Sequence, residues 1–161
     1  MTSLGAWGSR AAALLEDGRV VVAGEAGLML LDLRTLESRA LPTTSGPRWS
    51  AIAARPGGRE VLAGAEDGAL VSWDLESGAQ GATLEAAGAV VKIAFTPGGE
   101  RALVLAGATL HLFDVDAGLE LERLEVTANH DLPLALSLSP DGRSALVGTA
   151  LGVILRFEVS D

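Results

Sequence analysis

The sequence has no cysteine and no tyrosine, only two histidines, and six aromatic rings, three Trp and three Phe. Without thiols there is no disulfide staple, no thiolate zinc site and no cysteine nucleophile. Any metal chemistry falls to His111, His130 and carboxylates. Basic charge is also scarce. Twelve Lys and Arg stand against 21 Asp and Glu, and the net charge of -9 repels polyphosphates and anionic membrane surfaces. Nucleic acid and membranes are thus excluded as expected partners. Long apolar runs are missing too. Residues 1–15 hold one basic side chain and an apolar run over 11–15, too short for a signal sequence or a membrane span, so a cytoplasmic protein is expected. Lysine occurs once, at Lys92, and the preference for arginine and alanine is that of a GC-rich bacterial genome.

What is present is glycine, 20 residues of it, with a 48% apolar share. That mixture describes many short segments joined by tight turns. The length fits one domain over 1–161, and a domain of roughly 150 residues buries about 70% of its unfolded surface.

A repeat organises the chain. Four turn signals recur, Glu16-Asp17-Gly18-Arg19, Pro56-Gly57-Gly58-Arg59, Pro97-Gly98-Gly99-Glu100 and Pro140-Asp141-Gly142-Arg143, and their last glycines step by 40, 41 and 43 residues. Each turn is followed by an alternating apolar segment closed by an acid, at 28–32, 70–74, 110–114 and 153–158. Short apolar runs precede the turns at 11–15, 50–54, 90–95 and 134–138, giving a strand a. Others follow them at 20–23, 61–63, 102–105 and 145–147, giving a strand b before the acid-closed strand c. Strand d lies at 37–41, 79–84 and 118–126, the last alternating leucine with glutamate as an exposed sheet edge should.

The Asp-Gly and Gly-Gly pairs supply positive φ, so each a-to-b connection predicts a hairpin and each unit an antiparallel meander. A helical or α/β solenoid of the same period is the competing arrangement. Glycine every ten residues or so, and the alternation of Val153, Leu155, Phe157 and Val159, count against it. The expected fold is all-β: four four-stranded antiparallel propeller blades at about 7–42, 47–86, 88–127 and 130–161.

Residues 63–74, AGAEDGALVSWD, resemble a WD repeat in their acidic turn and terminal Trp73-Asp74. Unit three ends Phe113-Asp114, and unit four opens Asn129-His130 and runs into Ser137-Leu138-Ser139-Pro140-Asp141-Gly142, similar to the family's opening and turn. The resemblance implies blade-building roles for Asp67, Trp73, Asp74, Asp114 and His130. No unit holds both tryptophan and histidine, so the family's His-Ser-Asp-Trp hydrogen-bonded set is incomplete in each.

Blades bury their faces by stacking, and an open arc of four leaves two faces wet. The fourth strand of unit four is missing from its expected place, and residues 2–7 could supply an outer strand. Three closures follow: a four-bladed ring, two copies joined as four plus four into an eight-bladed ring, or an arc completed by another chain. Homodimeric closure is the leading expectation.

Catalysis needs convergent groups with tuned pKa values, and few are available. His111 lies between Leu110 and Leu112 and reads as a strand residue, and His130 as a blade-building one. Glu66-Asp67-Gly68 and Asp141-Gly142 read as turns, since the twelve-residue register of an EF-hand is absent. No G-x-x-x-x-G-K, G-x-G-x-x-G or G-x-S-x-G pattern occurs. No catalytic, cofactor-binding or metal-binding residue is therefore assigned. The segments leading into strand a carry Trp7, Arg10, Arg48, Trp49 and Lys92, and tryptophan and arginine are favoured hot-spot residues. Set beside one another, these entries place Trp7, Ser9 and Arg10 against Pro47, Arg48 and Trp49, and against Val90, Val91 and Lys92. The expectation is a non-enzymatic protein-interaction scaffold whose partner is unidentified and whose first partner is itself. The alternative is a propeller that binds a small ligand, or catalyses, at its channel mouth.

Overall fold

The computed structural model describes residues 8–43, 47–126 and 131–159. Among them the chain is all-β, with no helix and therefore none long and apolar enough to cross a membrane. Four antiparallel sheets follow one another along the sequence. The first runs β1 (Ser9–Leu14), β2 (Arg19–Gly24), β3 (Gly27–Asp32), β4 (Ser38–Ala40). The second is β5 (Trp49–Ala54), β6 (Glu60–Ala65), β7 (Ala69–Asp74), β8 (Gln80–Glu85), and the third β9 (Val90–Phe95), β10 (Arg101–Ala106), β11 (Thr109–Asp114), β12 (Leu119–Glu125). The fourth holds three strands among the described residues, β13 (Pro133–Leu138), β14 (Ser144–Thr149) and β15 (Ile154–Glu158). Every sheet is a meander whose strand order is its chain order.

The turn glycines account for the meanders. Gly18, Gly58, Gly99 and Gly142 all have positive φ, between 68° and 85°. Each N–H reaches the carbonyl three residues back, on Leu15, Arg55, Thr96 and Ser139, at 2.9 to 3.1 Å. A side chain at these positions would strain the backbone. The acids that close strands β3, β7 and β11 act on the next turn. Asp32 accepts the N–H groups of Arg34 and Thr35, Asp114 accepts that of Ala117, and Asp74 accepts those of Glu76 and Ser77 together with the Ser77 hydroxyl. These Asx turns steer the chain from strand c to strand d.

The sheets stack as a propeller-like arc. β1 packs on β5, β5 on β9 and β9 on β13, so the strands before the turns converge and the others fan outward. All four inner strands carry a bulge at the same place, with register breaks between Ser9 and Ala11, Trp49 and Ala51, Leu105 and Ala106, and Pro133 and Ala135. A bulge bends a strand and sharpens its twist. Three apolar clusters fill the three seams. Val21, Ala23, Leu28 and Leu30 meet Val61, Ala63, Val71 and Trp73 in the first. In the second, Leu62, Leu70 and Leu84 meet Ala102, Val104 and Phe113, and in the third, Leu103, Leu105, Leu110 and Leu112 meet Ala145 and Val147. Successive residues such as Val61 and Leu62 thus serve different seams, as period-two alternation requires.

Ionic contacts brace the second seam at the hairpin end. The Arg55 guanidinium donates to both oxygens of Asp116 at 2.8 and 2.7 Å and to Glu60 at 2.8 Å, which holds the Asp116 carboxyl below its ordinary value. At the first seam Arg39 donates to the Leu75 carbonyl.

Two consequences are measurable. The Trp73 indole is 1% exposed and its N–H has no hydrogen-bond partner. An unpaired buried donor costs about 1–3 kcal/mol. Trp73→Phe removes that cost with part of the ring, so urea denaturation should show a much smaller loss than Trp73→Ala, for which about 3–5 kcal/mol is expected. Equal losses would contradict this account. Second, hydrogen bonds from the Ser77 backbone and hydroxyl, then from Arg59, lower the Asp74 pKa from 3.8 to about 2. The folded value lies below the unfolded one, so this stabilisation is complete above pH 3.8 and disappears as pH falls to about 2. Asp74→Asn should flatten that acid limb in a plot of urea midpoint against pH.

Candidate interaction site

Two of the sequence-derived contact residues, Arg10 and Arg48, converge at the end of the arc where the β2–β3 and β6–β7 turns meet the segments leading into β1 and β5. Glu25 lies in the first turn and Glu66 in the second. Arg10, on the bulge of β1, donates to Glu66 at 2.5 Å and to Glu25 at 3.1 Å. Arg48, just before β5, also donates to Glu25 and lies 3.6 Å from Glu66. Two cations and two anions therefore alternate in a closed set that spans the first two blades. Its formal charges cancel. Hydrogen bonds from Arg48 and then Arg10 lower the Glu25 pKa, and the bond to Glu25 raises that of Arg48.

All four side chains remain more than a third exposed. In water such pairs are screened and contribute little to stability, so the set acts chiefly to fix the shape and charge of the rim. Beside it, the Ser50 hydroxyl donates to the Val90 carbonyl at 2.6 Å and lies 3.3 Å from that of Gly64, tying the second blade to the third.

The other predicted contact residues fall elsewhere. Trp49 is 2% exposed and packs in the first seam with Ala23 and Leu28, which removes its ring from the free surface. Lys92 is exposed on β9 and makes no ion pair among the described residues. Trp7 lies outside the described residues, as do His130 and residues 2–7. The steps of 40 and 41 residues between the turn glycines set Arg10 beside Ser50 and Val91, not beside Trp49 and Lys92, and the strand registers agree with those steps. Ser9, Trp49 and Val90 pair with Gly24, Ala65 and Ala106, and the counterpart of Arg10 is Ser50.

Among the residues assigned to the blade motif, Asp67 accepts the Ala69 N–H at 3.1 Å and shapes the β6–β7 turn. Asp74 and Asp114 form the Asx turns described above, and Trp73 fills the first seam.

A polar unit that the sequence reading missed lies in the third blade. His111 is 1% exposed on β11. The Ala87 N–H donates to its Nε2 at 3.3 Å, so the ring proton sits on Nδ1, which is 2.7 Å from Glu120 Oε1. The imidazole stacks on Phe113 with centroids 5.7 Å apart. Glu120 thus anchors a buried ring as well as charging the β12 edge. The available signal was a histidine at the strand-c position that Met29, Val71 and Leu155 occupy in the other units.

A cleft of about 490 Å³ opens nearby, lined by Asp67, Thr83, Glu85, Phe113 and Glu120. Among the described residues no group of three or more His, Asp or Glu side chains converges in a metal-binding arrangement. The chain matches no family model and no curated protein sequence.

The rim set has a clear salt signature. A double-mutant cycle of Glu25→Gln with Arg48→Gln should give a small coupling by urea denaturation that vanishes in molar salt. A coupling that persists there would show that the set is desolvated.

Proposed function

We propose that the chain is a non-enzymatic protein-interaction module, an arc of four WD-repeat-like blades whose two terminal faces are covered by association. The first partner is a second copy, giving an eight-bladed ring of four plus four. One observation carries this reading. Both end sheets present large apolar side chains to solvent, with Leu14 67% exposed on the first and Ile154 72% exposed on the fourth. β1 and β13 are not among the inner-strand pairs that pack together.

Covering such faces is favourable, since burying one large aliphatic side chain is worth about 1.5–3 kcal/mol. The ionic rim offers a second kind of surface, with directional groups already positioned over the first seam. The WD-like reading of the blades is supported by Trp73-Asp74 at the end of β7 and the acidic turn before it. The unpartnered Trp73 indole is in keeping with an incomplete hydrogen-bonded set.

Light scattering over a dilution series is the direct test. The expected mass is twice the 16.4 kDa of one chain, with an unfolding midpoint that falls on dilution. A monomer at every concentration would reject self-association.

A further inference from the structure

The three seams inside the chain share a docking device, and its two halves recur unmatched at the ends of the arc. In each seam the a-to-b hairpin of one blade rests on the turn glycine of the next. From the point where a Cβ of Gly58 would lie, Glu16 backbone N is 3.8 Å away. At Gly99 the neighbours are Arg55 Cγ at 3.3 Å and Pro56 Cδ at 3.4 Å, and at Gly142 Pro97 Cδ at 2.7 Å. The seated residues, Glu16, Pro56 and Pro97, occupy one repeat position. Pro140 is the fourth member of that series, and Gly18 the fourth glycine. Among the described residues nothing lies within 4 Å of the Gly18 position.

The faces repeat the pattern. On the side turned toward the following blade, Leu62 and Leu70 of the second sheet and Leu103 and Leu110 of the third are buried in seams. Their register counterparts in the fourth sheet, Leu146 and Ile154, are 45% and 72% exposed. At the opposite end of the second seam, Val90 Cγ1 lies 2.5 Å from the Cβ position of Gly64. Among the described residues Gly148, the counterpart of Gly64, meets only Ala135 of its own sheet, at 3.5 Å. Ser9, the counterpart of Val90, is exposed.

We propose that these halves meet between two copies of the chain, the fourth blade of one docking on the first blade of the other, with Pro140 seated on Gly18 and Ser9 beside Gly148. The proposal rests on the self-association reading and specifies its geometry. Each chain carries one seated and one receiving face, so a twofold pair forms two identical seams and leaves neither face bare. Docking first blade on first blade instead would set Gly18 against Gly18 and leave Pro140 without a seat.

The absence of native cysteine makes the geometry testable by cross-linking. Chains carrying Asp17→Cys and Pro140→Cys are unfolded, mixed, refolded and treated with a short bismaleimide. A Pro97→Cys/Asp141→Cys chain, which places the same two positions across the third seam, serves as the internal positive control. The expected result is a dimer by light scattering, cross-linked in the mixture and not in either variant alone. Ile154→Asp should weaken that dimer about tenfold or more, because a carboxylate would be buried unpaired, while strand circular dichroism is unchanged. A dimer that cross-links within one variant, or not at all in the mixture, overturns this seam and leaves self-association standing. A monomer overturns both.

Discussion

A four-stranded sheet with apolar side chains on both faces cannot bury either face by itself, and the remaining architecture answers that constraint. The solution here is a series of shared cores. Val61 and Leu62 show it at the smallest scale, since adjacent residues on one strand belong to clusters on opposite sides of the sheet. The bulges on the inner strands, the nested hairpins and the Arg55–Asp116 pair all keep neighbouring sheets at the spacing those clusters need. The constraint also marks the two end sheets, where Leu14 and Ile154 stand exposed. Among the described residues a middle sheet has two covered faces, and an end sheet has one.

The rim and the seams do different work. Arg10, Glu25, Arg48 and Glu66 are wet and mutually neutralised, so they shape a surface more than they stabilise it. Trp49, only one residue from Arg48 in the chain, is dry and packs in the core. His111 shows that a buried position can hold a polar ring when both nitrogens find partners, one in the Ala87 N–H and one in Glu120.

The fold was legible in the sequence because its determinants are local. A glycine at positive φ and an acid at a strand end act through their own backbone neighbours, and both recur at visible intervals. The site was less legible because its determinants are not local. Glu66 lies 56 residues from its partner Arg10, and Glu25 lies 23 from Arg48. Nothing along the chain marks them as partners until the seam forms. The face of a strand is set by parity, so the single step from Arg48 to Trp49 separates an exposed guanidinium from a buried indole.

The division of the interior into three clusters, each shared by two consecutive sheets, makes cohesion a nearest-neighbour property. No residue set acts as a keystone for the whole. The interior sheets are gripped on both flanks and the outer ones on a single flank, so loss of order enters from the extremities and advances inward one sheet at a time. Covering the outer flanks would convert this zipper into a closed hoop, in which no sheet is the first to let go.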